Sequence, residues 1–309
     1  MRALVHDPDV PGRLAFAEVA EPRPRAAEAL IEVRAASLNF AELAFADRAR
    51  PGGVPGLDAA GTVVAAADDG SGPAEGTRVV GFGWGGGAWA ERRAVHTGEL
   101  AVVPDCVELG AASALPAAGV TALRALRRLG PVLGRRVLVT GASGGVGRFA
   151  VQLAALAGAH VVASVGGPER GEGLREIGAS EVVVGLADVT APVSGVLENV
   201  GGRSLAEAFG LVEPGGRVLS VGMASREPTT IDFERERLRG GDRSIEPFVV
   251  GHPIHGERFG ADLGYLVGLL ARGRLDPQVG WRGPWERAGE AAEALLGRRV
   301  RGKAVLDIG

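Results

Sequence analysis

Lysine is almost missing from this chain of 309 residues: its 34 basic side chains are arginines apart from Lys303. That scarcity removes nearly every candidate for Schiff-base chemistry or for the phosphate-binding lysine of a P-loop. Cysteine occurs once. Cys106 excludes an intrachain disulfide and any zinc site built on three or four cysteines, and it reads as a small packing residue. The histidines give one close pair, His252 and His255, which reads as a polar loop and not as a ligand set with Cys106, so no metal is expected. The sole tyrosine, Tyr265, lies in an amphipathic stretch at 259–270 and reads as a core or interface residue, which leaves no evident general acid.

No block of like charge is present, and the formal net charge is -3. Nucleic acid and anionic membranes are therefore poor partners, and a small molecule is the better one. The first residues lack an apolar stretch between a basic start and a cleavage site, so no secretory signal is read and the expected compartment is the cytoplasm. The longest weakly charged stretch, 137–167, contains Arg148, His160 and a glycine cluster, which suits a buried strand–helix–strand unit and not a membrane span.

With 46% hydrophobic residues the chain can bury a sizeable core, and its length suits two domains. Up to about residue 104, short apolar runs at 29–36, 61–66, 78–82 and 100–103 read as strands separated by glycine and proline. From about Gly119 the pattern becomes α/β. Valine-rich strands are expected at 137–140, 161–165, 182–184, 196–199 and 218–221, with helices at 146–157, 169–177 and 204–211, as in a parallel sheet covered by helices. After about Val250, helices at 261–271 and 286–296 lead to a strand at 304–308.

The strongest local signal is the run from Val137 through Thr140-Gly141-Ala142-Ser143-Gly144-Gly145-Val146-Gly147 into an apolar helix. Gly141 permits a tight turn, Gly144 and Gly145 let backbone N–H groups approach a pyrophosphate, and Gly147 lets the helix pack on the strand. A dinucleotide is the expected ligand. The second strand ends in Ser164-Val165-Gly166-Gly167 with no carboxylate for an NAD ribose, and Arg170 follows within a turn. A cation beside a glycine opening suits a ribose 2′-phosphate, so NADPH is expected over NADH, with Glu169 as the residue that would argue otherwise.

Taken with Ser37-Leu-Asn39-Phe-Ala-Glu42, Val54-Pro-Gly-Leu-Asp58-Ala-Ala-Gly61, Ala118-Gly-Val-Thr121, Glu198-Asn-Val-Gly-Gly202, Pro214-Gly-Gly-Arg-Val-Leu-Ser-Val-Gly222 and Gly302-Lys-Ala-Val-Leu306, the chain resembles the zinc-free quinone oxidoreductase branch of the medium-chain dehydrogenases/reductases, zeta-crystallin-like proteins and polyketide enoylreductase domains included. The resemblance implies a GroES-like β-domain at 1–114 completed by 250–309, and a Rossmann doubly wound parallel-sheet domain at 115–249. It also implies that Asn39 and Thr121 lie near nicotinamide and acceptor, and that the turn from Ser164 through Gly167 to Arg170 holds the adenosine phosphate. Asn199, Gly222 and Met223 would line the nicotinamide side, Arg298 would reach the cofactor phosphates, and a homodimer is common among such relatives. The chain departs from the family pattern at Glu42, where Asp is usual, and in having Phe40 and Phe45 where many relatives carry a tyrosine.

Without a metal, hydride transfer needs an acceptor that spreads negative charge over its own atoms, as a quinone or an α,β-unsaturated carbonyl does. Near-attack positioning contributes on the order of 7–11 kcal/mol in favourable cases, and a donor such as Asn39 or Thr121 would stabilise the oxygen that becomes anionic. NADPH-dependent reduction of a quinone or another activated conjugated carbonyl is the leading reading. Reduction of an enoyl or alkenal carbon–carbon double bond is the alternative, since Phe40, Phe45, Trp84 and Phe248 would line either flat pocket. A catalytically silent NADPH-binding protein is the reading from outside the enzymes.

Overall fold

The computed structural model describes residues 1–10, 13–48, 50–250 and 259–309; the pair His252 and His255 lies outside them. The chain divides into two compact units, Met1–Val120 with Gly251–Gly309, and Thr121–Val250.

In the first unit, β1 (Arg2–His6) pairs antiparallel with β2 (Leu14–Glu18). β3 (Glu28–Leu38) leads into a short helix, α1 (Phe40–Ala44), followed by β4 (Asp58–Ala65), β5 (Arg78–Phe82), β6 (Arg92–His96) and β7 (Leu100–Val102). Two helices follow, α2 (Leu109–Ser113) and α3 (Pro116–Leu129), the latter carrying the chain into the second unit. Alternation along β3 turns Ala29, Ile31 and Val33 into a core that also holds Trp89 and Trp285. Gly61 on β4 marks a close approach: a Cβ there would lie 1.9 Å from the Glu32 carbonyl oxygen, so only glycine fits.

The second unit starts with β8 (Arg136–Val139), α4 (Gly145–Leu156), β9 (His160–Val165) and β10 (Glu181–Val184). It continues with β11 (Val193–Glu198), α5 (Gly202–Gly210), β12 (Val212–Ser220), α6 (Phe233–Arg239) and β13 (Ser244–Pro247). All of its strand pairs are parallel, in the order β10-β9-β8-β11-β12-β13. The chain builds outward from β8 on one side and then crosses to β11 on the other, so a topological switch point falls between β8 and β11. Ligands bind beyond the carboxyl ends of the strands at such points. Valine dominates here because Val137, Val162, Val196 and Val218 are fully buried.

The chain then returns to the first unit through α7 (Phe259–Ala271), β14 (Val279–Pro284), α8 (Ala288–Leu296) and β15 (Lys303–Asp307). β15 inserts between β14 and β3, with Ala304 opposite Leu38, while Asp58 of β4 lies opposite Ser37 on the other side of β3. This register places Lys303 beside the end of β3.

Three expectations need correction. The helix expected at 169–177 is a 3-10 turn, Pro168–Gly171, followed by irregular turns; Gly173 at φ +75° and Gly178 at φ +113° adopt left-handed backbone that ends helical propagation. Cys106 is exposed instead of packed. Tyr265 is 48% exposed on α7, which removes the core half of the core-or-interface reading. Among the described residues no helix is long and apolar enough to cross a membrane.

Candidate active site

In the second unit the candidate residues gather at the switch point. Gly141 leaves β8 at φ +56°, a conformation a side chain rarely adopts. Gly147 lies so near the turn that a Cβ would fall 2.4 Å from the Gly141 carbonyl oxygen and 2.6 Å from the Ala142 Cα. Gly144 differs: it is the extended N-cap of α4, and a Cβ there would meet only the Gly141 carbonyl oxygen, at 3.4 Å. The first N–H groups of a helix have no intrahelical acceptor, so those of Gly145, Val146 and Gly147 open α4 as an anion-binding end. The Ala142 N–H donates to the Ser164 carbonyl at 3.0 Å, tying the turn to the end of β9.

Ser164 is buried and its hydroxyl donates to the Gly185 carbonyl at 2.8 Å, which makes it a strut of the β9 end. Beyond it, a Cβ at Gly166 would meet nothing within 4 Å, while one at Gly167 would meet the Glu169 carboxylate. Arg170, not Glu169, turns toward the glycine loop, its Nε donating to the Ser143 hydroxyl at 3.0 Å. A guanidinium therefore faces the glycine loop, while the Glu169 carboxylate lies against Gly167.

Across the switch point a buried carboxylate acts as a latch. Glu198 Oε1 accepts from the Thr140 and Ser204 hydroxyls and the Val200 N–H at 2.9, 3.0 and 3.1 Å, and Oε2 accepts from the Gly201 N–H at 2.8 Å. The Asn199 side chain donates to the Thr140 carbonyl at 2.9 Å, joining the ends of β8 and β11. A Cβ at Gly222 would lie 2.6 Å from the Asn199 carbonyl oxygen, so β12 ends against this latch; Met223 beyond it is exposed.

The other candidates occupy the first unit or its border. Arg298 is exposed just after α8, with φ +57°. Thr121 is buried on α3. Asn39 caps α1 inside a polar cluster that joins β3, β4, β6 and β15. Its Nδ2 donates to Glu42 Oε2 at 2.8 Å and to Asp58 Oδ2 at 3.0 Å, and its Oδ1 accepts from the Lys303 ammonium at 2.6 Å. A donor-only ammonium on one side and two carboxylates on the other fix the orientation of the amide, and both of its hydrogens are engaged within the cluster. Lys303 also donates to the Leu38 carbonyl at 3.1 Å and pairs with Asp58 at 3.4 Å, both side chains being at most 2% exposed. Asp58 further accepts from the Ser37 hydroxyl and the Ala117 N–H, each at 2.9 Å.

Glu42 Oε2 accepts in addition from the Asn39 backbone N–H at 3.0 Å, whereas Oε1 is buried with no hydrogen-bond partner. Burial first, and the Asp58 carboxylate second, push the Glu42 carboxyl up to about 7 against the opposing pull of Asn39 and Lys303. Arg93 of β6 donates to the Leu57 and Gly83 carbonyls at 2.7 and 3.0 Å; burial draws it down to about 10 while Asp58, Glu42 and Glu99 hold it up.

Sequence reasoning singled out Asn39 and, as a departure from the family pattern, Glu42, but did not join them to Asp58 and Lys303. The signal was present in Lys303 itself, the only lysine of the chain, set in an otherwise apolar strand.

Two family descriptions match the chain: alcohol dehydrogenase GroES-like domain over residues 25–105, and zinc-binding dehydrogenase over residues 145–261. The chain is 31% identical to an acrylyl-CoA reductase of Ruegeria pomeroyi over 82% of its own length and 81% of the relative's. It is 29% identical to a quinone oxidoreductase of Pseudomonas aeruginosa, covering 93% and 92%. With erythronolide synthase of Saccharopolyspora erythraea it shares 34% identity over 96% of this chain, which spans 9% of that much longer protein. A mycobacterial protein solved in complex with NADPH superimposes with a TM-score of 0.89 at 26% identity, covering 99% of this chain and 100% of that one. The chain belongs to the medium-chain dehydrogenase/reductase family, in its quinone oxidoreductase branch, and is an oxidoreductase with a GroES-like domain and a Rossmann-type parallel sheet.

The zinc in one of those descriptions does not fit the residues here. No group of three or more histidine, cysteine or acidic side chains with metal-binding geometry exists among the described residues. The Lys303 ammonium already pairs with Asp58 in the Asn39 cluster, and the oxygens of Asp58 are taken up by protein donors.

Proposed function

We propose that the chain reduces a quinone, or another activated conjugated carbonyl, with NADPH and without a metal, acting on a small molecule in the cytoplasm. The observation that carries the cofactor choice is the Arg170–Ser143 hydrogen bond at the glycine turn, with no acidic residue in 164–167 and the Glu169 carboxylate turned back against Gly167. The turn fits a dinucleotide because a Cβ at Gly144 would project into space that no side chain occupies. NADPH, when bound, supplies a hydride; the chain supplies the grip and the field. Gly145, Val146 and Gly147 would present backbone N–H groups to the pyrophosphate, Arg170 would pair with the ribose phosphate, and the Glu198–Thr140 latch would keep the two strand ends in register around the nicotinamide half.

Asn39 and Thr121 are assigned to the acceptor. Because its two hydrogens are held by Glu42 and Asp58 and its oxygen by Lys303, Asn39 acts on the acceptor through the field of this fixed cluster and not as a hydrogen-bond donor. The acceptor takes the hydride, its charge spreads over conjugated oxygen and carbon, and a solvent proton completes the two-electron reduction. The acrylyl-CoA reductase relative supports a second reading, reduction of a conjugated thioester double bond.

The test is NADPH oxidation with para-benzoquinone, an α,β-unsaturated aldehyde and crotonyl-CoA, before and after dialysis against a chelator. Quinone turnover unaffected by chelator, with far less than one zinc per chain, is expected; fast crotonyl-CoA reduction selects the second reading, and tight NADPH binding without oxidation selects a silent binding protein. Arg170→Ala should raise KM for NADPH by about tenfold or more, the loss expected of a charge-assisted hydrogen bond, and leave NADH unaffected. A lower KM for NADH in the unsubstituted protein would overturn the cofactor assignment.

A further inference from the structure

The reductase reading leaves one acid of the Asn39 cluster without a role. Glu42 lies on α1 three residues after Asn39, and Oε2 is held by both the backbone N–H and the amide of that asparagine, while Oε1 is buried and unpartnered. The same amide nitrogen reaches Asp58, so one NH2 group bridges two buried carboxyls. Charged neighbours come from each packed element: Asp58 from β4, Lys303 from β15 and Arg93 from β6, with Glu99 beyond Arg93. Helix α8, which packs on α1, offers the small buried residues Ala288, Ala291 and Ala292, and its Glu290 is exposed and paired with Arg287. Two cations, Lys303 and Arg93, meet two anions, Asp58 and Glu99, so the cluster is balanced when Glu42 is neutral and carries a net negative charge when it is ionised.

We propose that Glu42 is a positioning residue for the hydride-transfer step, acting through Asn39, and that its charge state sets the rate of acceptor reduction without altering how the cofactor is held. The proposal rests on the reductase reading above. Hydride arrival makes the acceptor anionic, and ionising Glu42 would put a net negative cluster behind Asn39 that raises the energy of that developing charge; neutral Glu42 avoids this. Neutral Glu42 also matches the unpartnered Oε1, since a buried carboxylate lacking a partner on one oxygen is costly. Burial and Asp58 bring the transition to about 7, inside the range in which the enzyme would work. The sign follows: acceptor reduction is fast on the acid side of the transition and falls as pH rises through it.

The experiment measures steady-state kcat and KM of the full chain with NADPH and para-benzoquinone from acid to alkaline pH. The wild type should lose about tenfold in kcat as pH rises through the transition, the effect of one charge at a short distance in a partly desolvated site, while KM for NADPH stays constant. Glu42→Gln keeps a carbonyl oxygen for Asn39 but cannot ionise, so its kcat should be the same at both ends of the range. Lys303→Met removes a neighbouring cation and should move the midpoint upward, a shift that a merely structural role would not produce. Should Glu42→Gln fail to fold, the wild-type profile and the Lys303→Met midpoint still decide. A flat wild-type profile with turnover, or an unchanged midpoint in either variant, overturns the role of Glu42 and leaves the reductase reading standing. Absence of NADPH oxidation at every pH, with the nucleotide bound, overturns both.

Discussion

Glu42 shows how a single residue couples stability to pH. Its carboxyl titrates at about 7 in the folded chain and near 4.5 ordinarily, so the folded state prefers the protonated form. The stability this contributes is complete below about pH 4.5 and is lost as pH rises through about 7, amounting to as much as about 3 kcal/mol at one pKa unit per 1.4 kcal/mol. Urea unfolding should therefore show the wild type losing stability relative to Glu42→Gln between acid and alkaline buffers, and a constant gap between the two proteins would contradict the burial of the carboxyl. In the sequence, Glu42 was legible only as a departure from a family pattern. Its environment depends on Asp58 and Lys303, which no local pattern joins to it.

Among the elements, the turn between β8 and α4 separates two kinds of glycine that look alike in the sequence. Gly147 is required by packing, because a Cβ would collide with backbone 2.4 Å away. Gly144 has an ordinary extended backbone and room for a methyl group on the protein side. Gly147→Ala should thus destabilise the chain by about 1–3 kcal/mol through forced backbone shifts. Gly144→Ala should stay within about 1 kcal/mol of the wild type and instead lose nucleotide affinity. Thermal melts paired with NADPH fluorescence titrations separate the two, and equal loss of stability in both would undo the distinction.

The strand–turn–helix around this turn was readable because period and glycine spacing are local. The stretch at 169–177 was misread because its polar and apolar residues suit a helix, while Gly171, Gly173 and Gly178 break it into turns. The five-residue α1 carries too few turns to show a period; it is set by Asn39 at its N-cap and Glu42 returning to the Asn39 N–H.

At the scale of the whole chain, the first unit is assembled from two stretches separated by the entire second unit. β15 supplies both the neighbour of β3 and the only ammonium of the acidic cluster. Ending the chain after Gly302 should therefore leave Asp58 buried without its cation and β3 with an open edge. A penalty of about 3–5 kcal/mol is expected for the broken buried pair alone. Limited proteolysis should then cut the first unit readily while fragments of the second resist, and equal resistance of both would count against this division of the core.

The amino-acid sequence by itself determined the α/β alternation, the glycine turn and the lack of a cysteine–histidine ligand set, since each is a matter of composition or of spacing within a few residues. Only the tertiary structure decided that Lys303 meets Asn39 across 264 positions and that Arg170 rather than Glu169 faces Ser143. Strand register brings the first pair together, and the second depends on the backbone path of a glycine-broken turn; both are set by long-range pairing and packing, which hydrophobic periodicity does not encode.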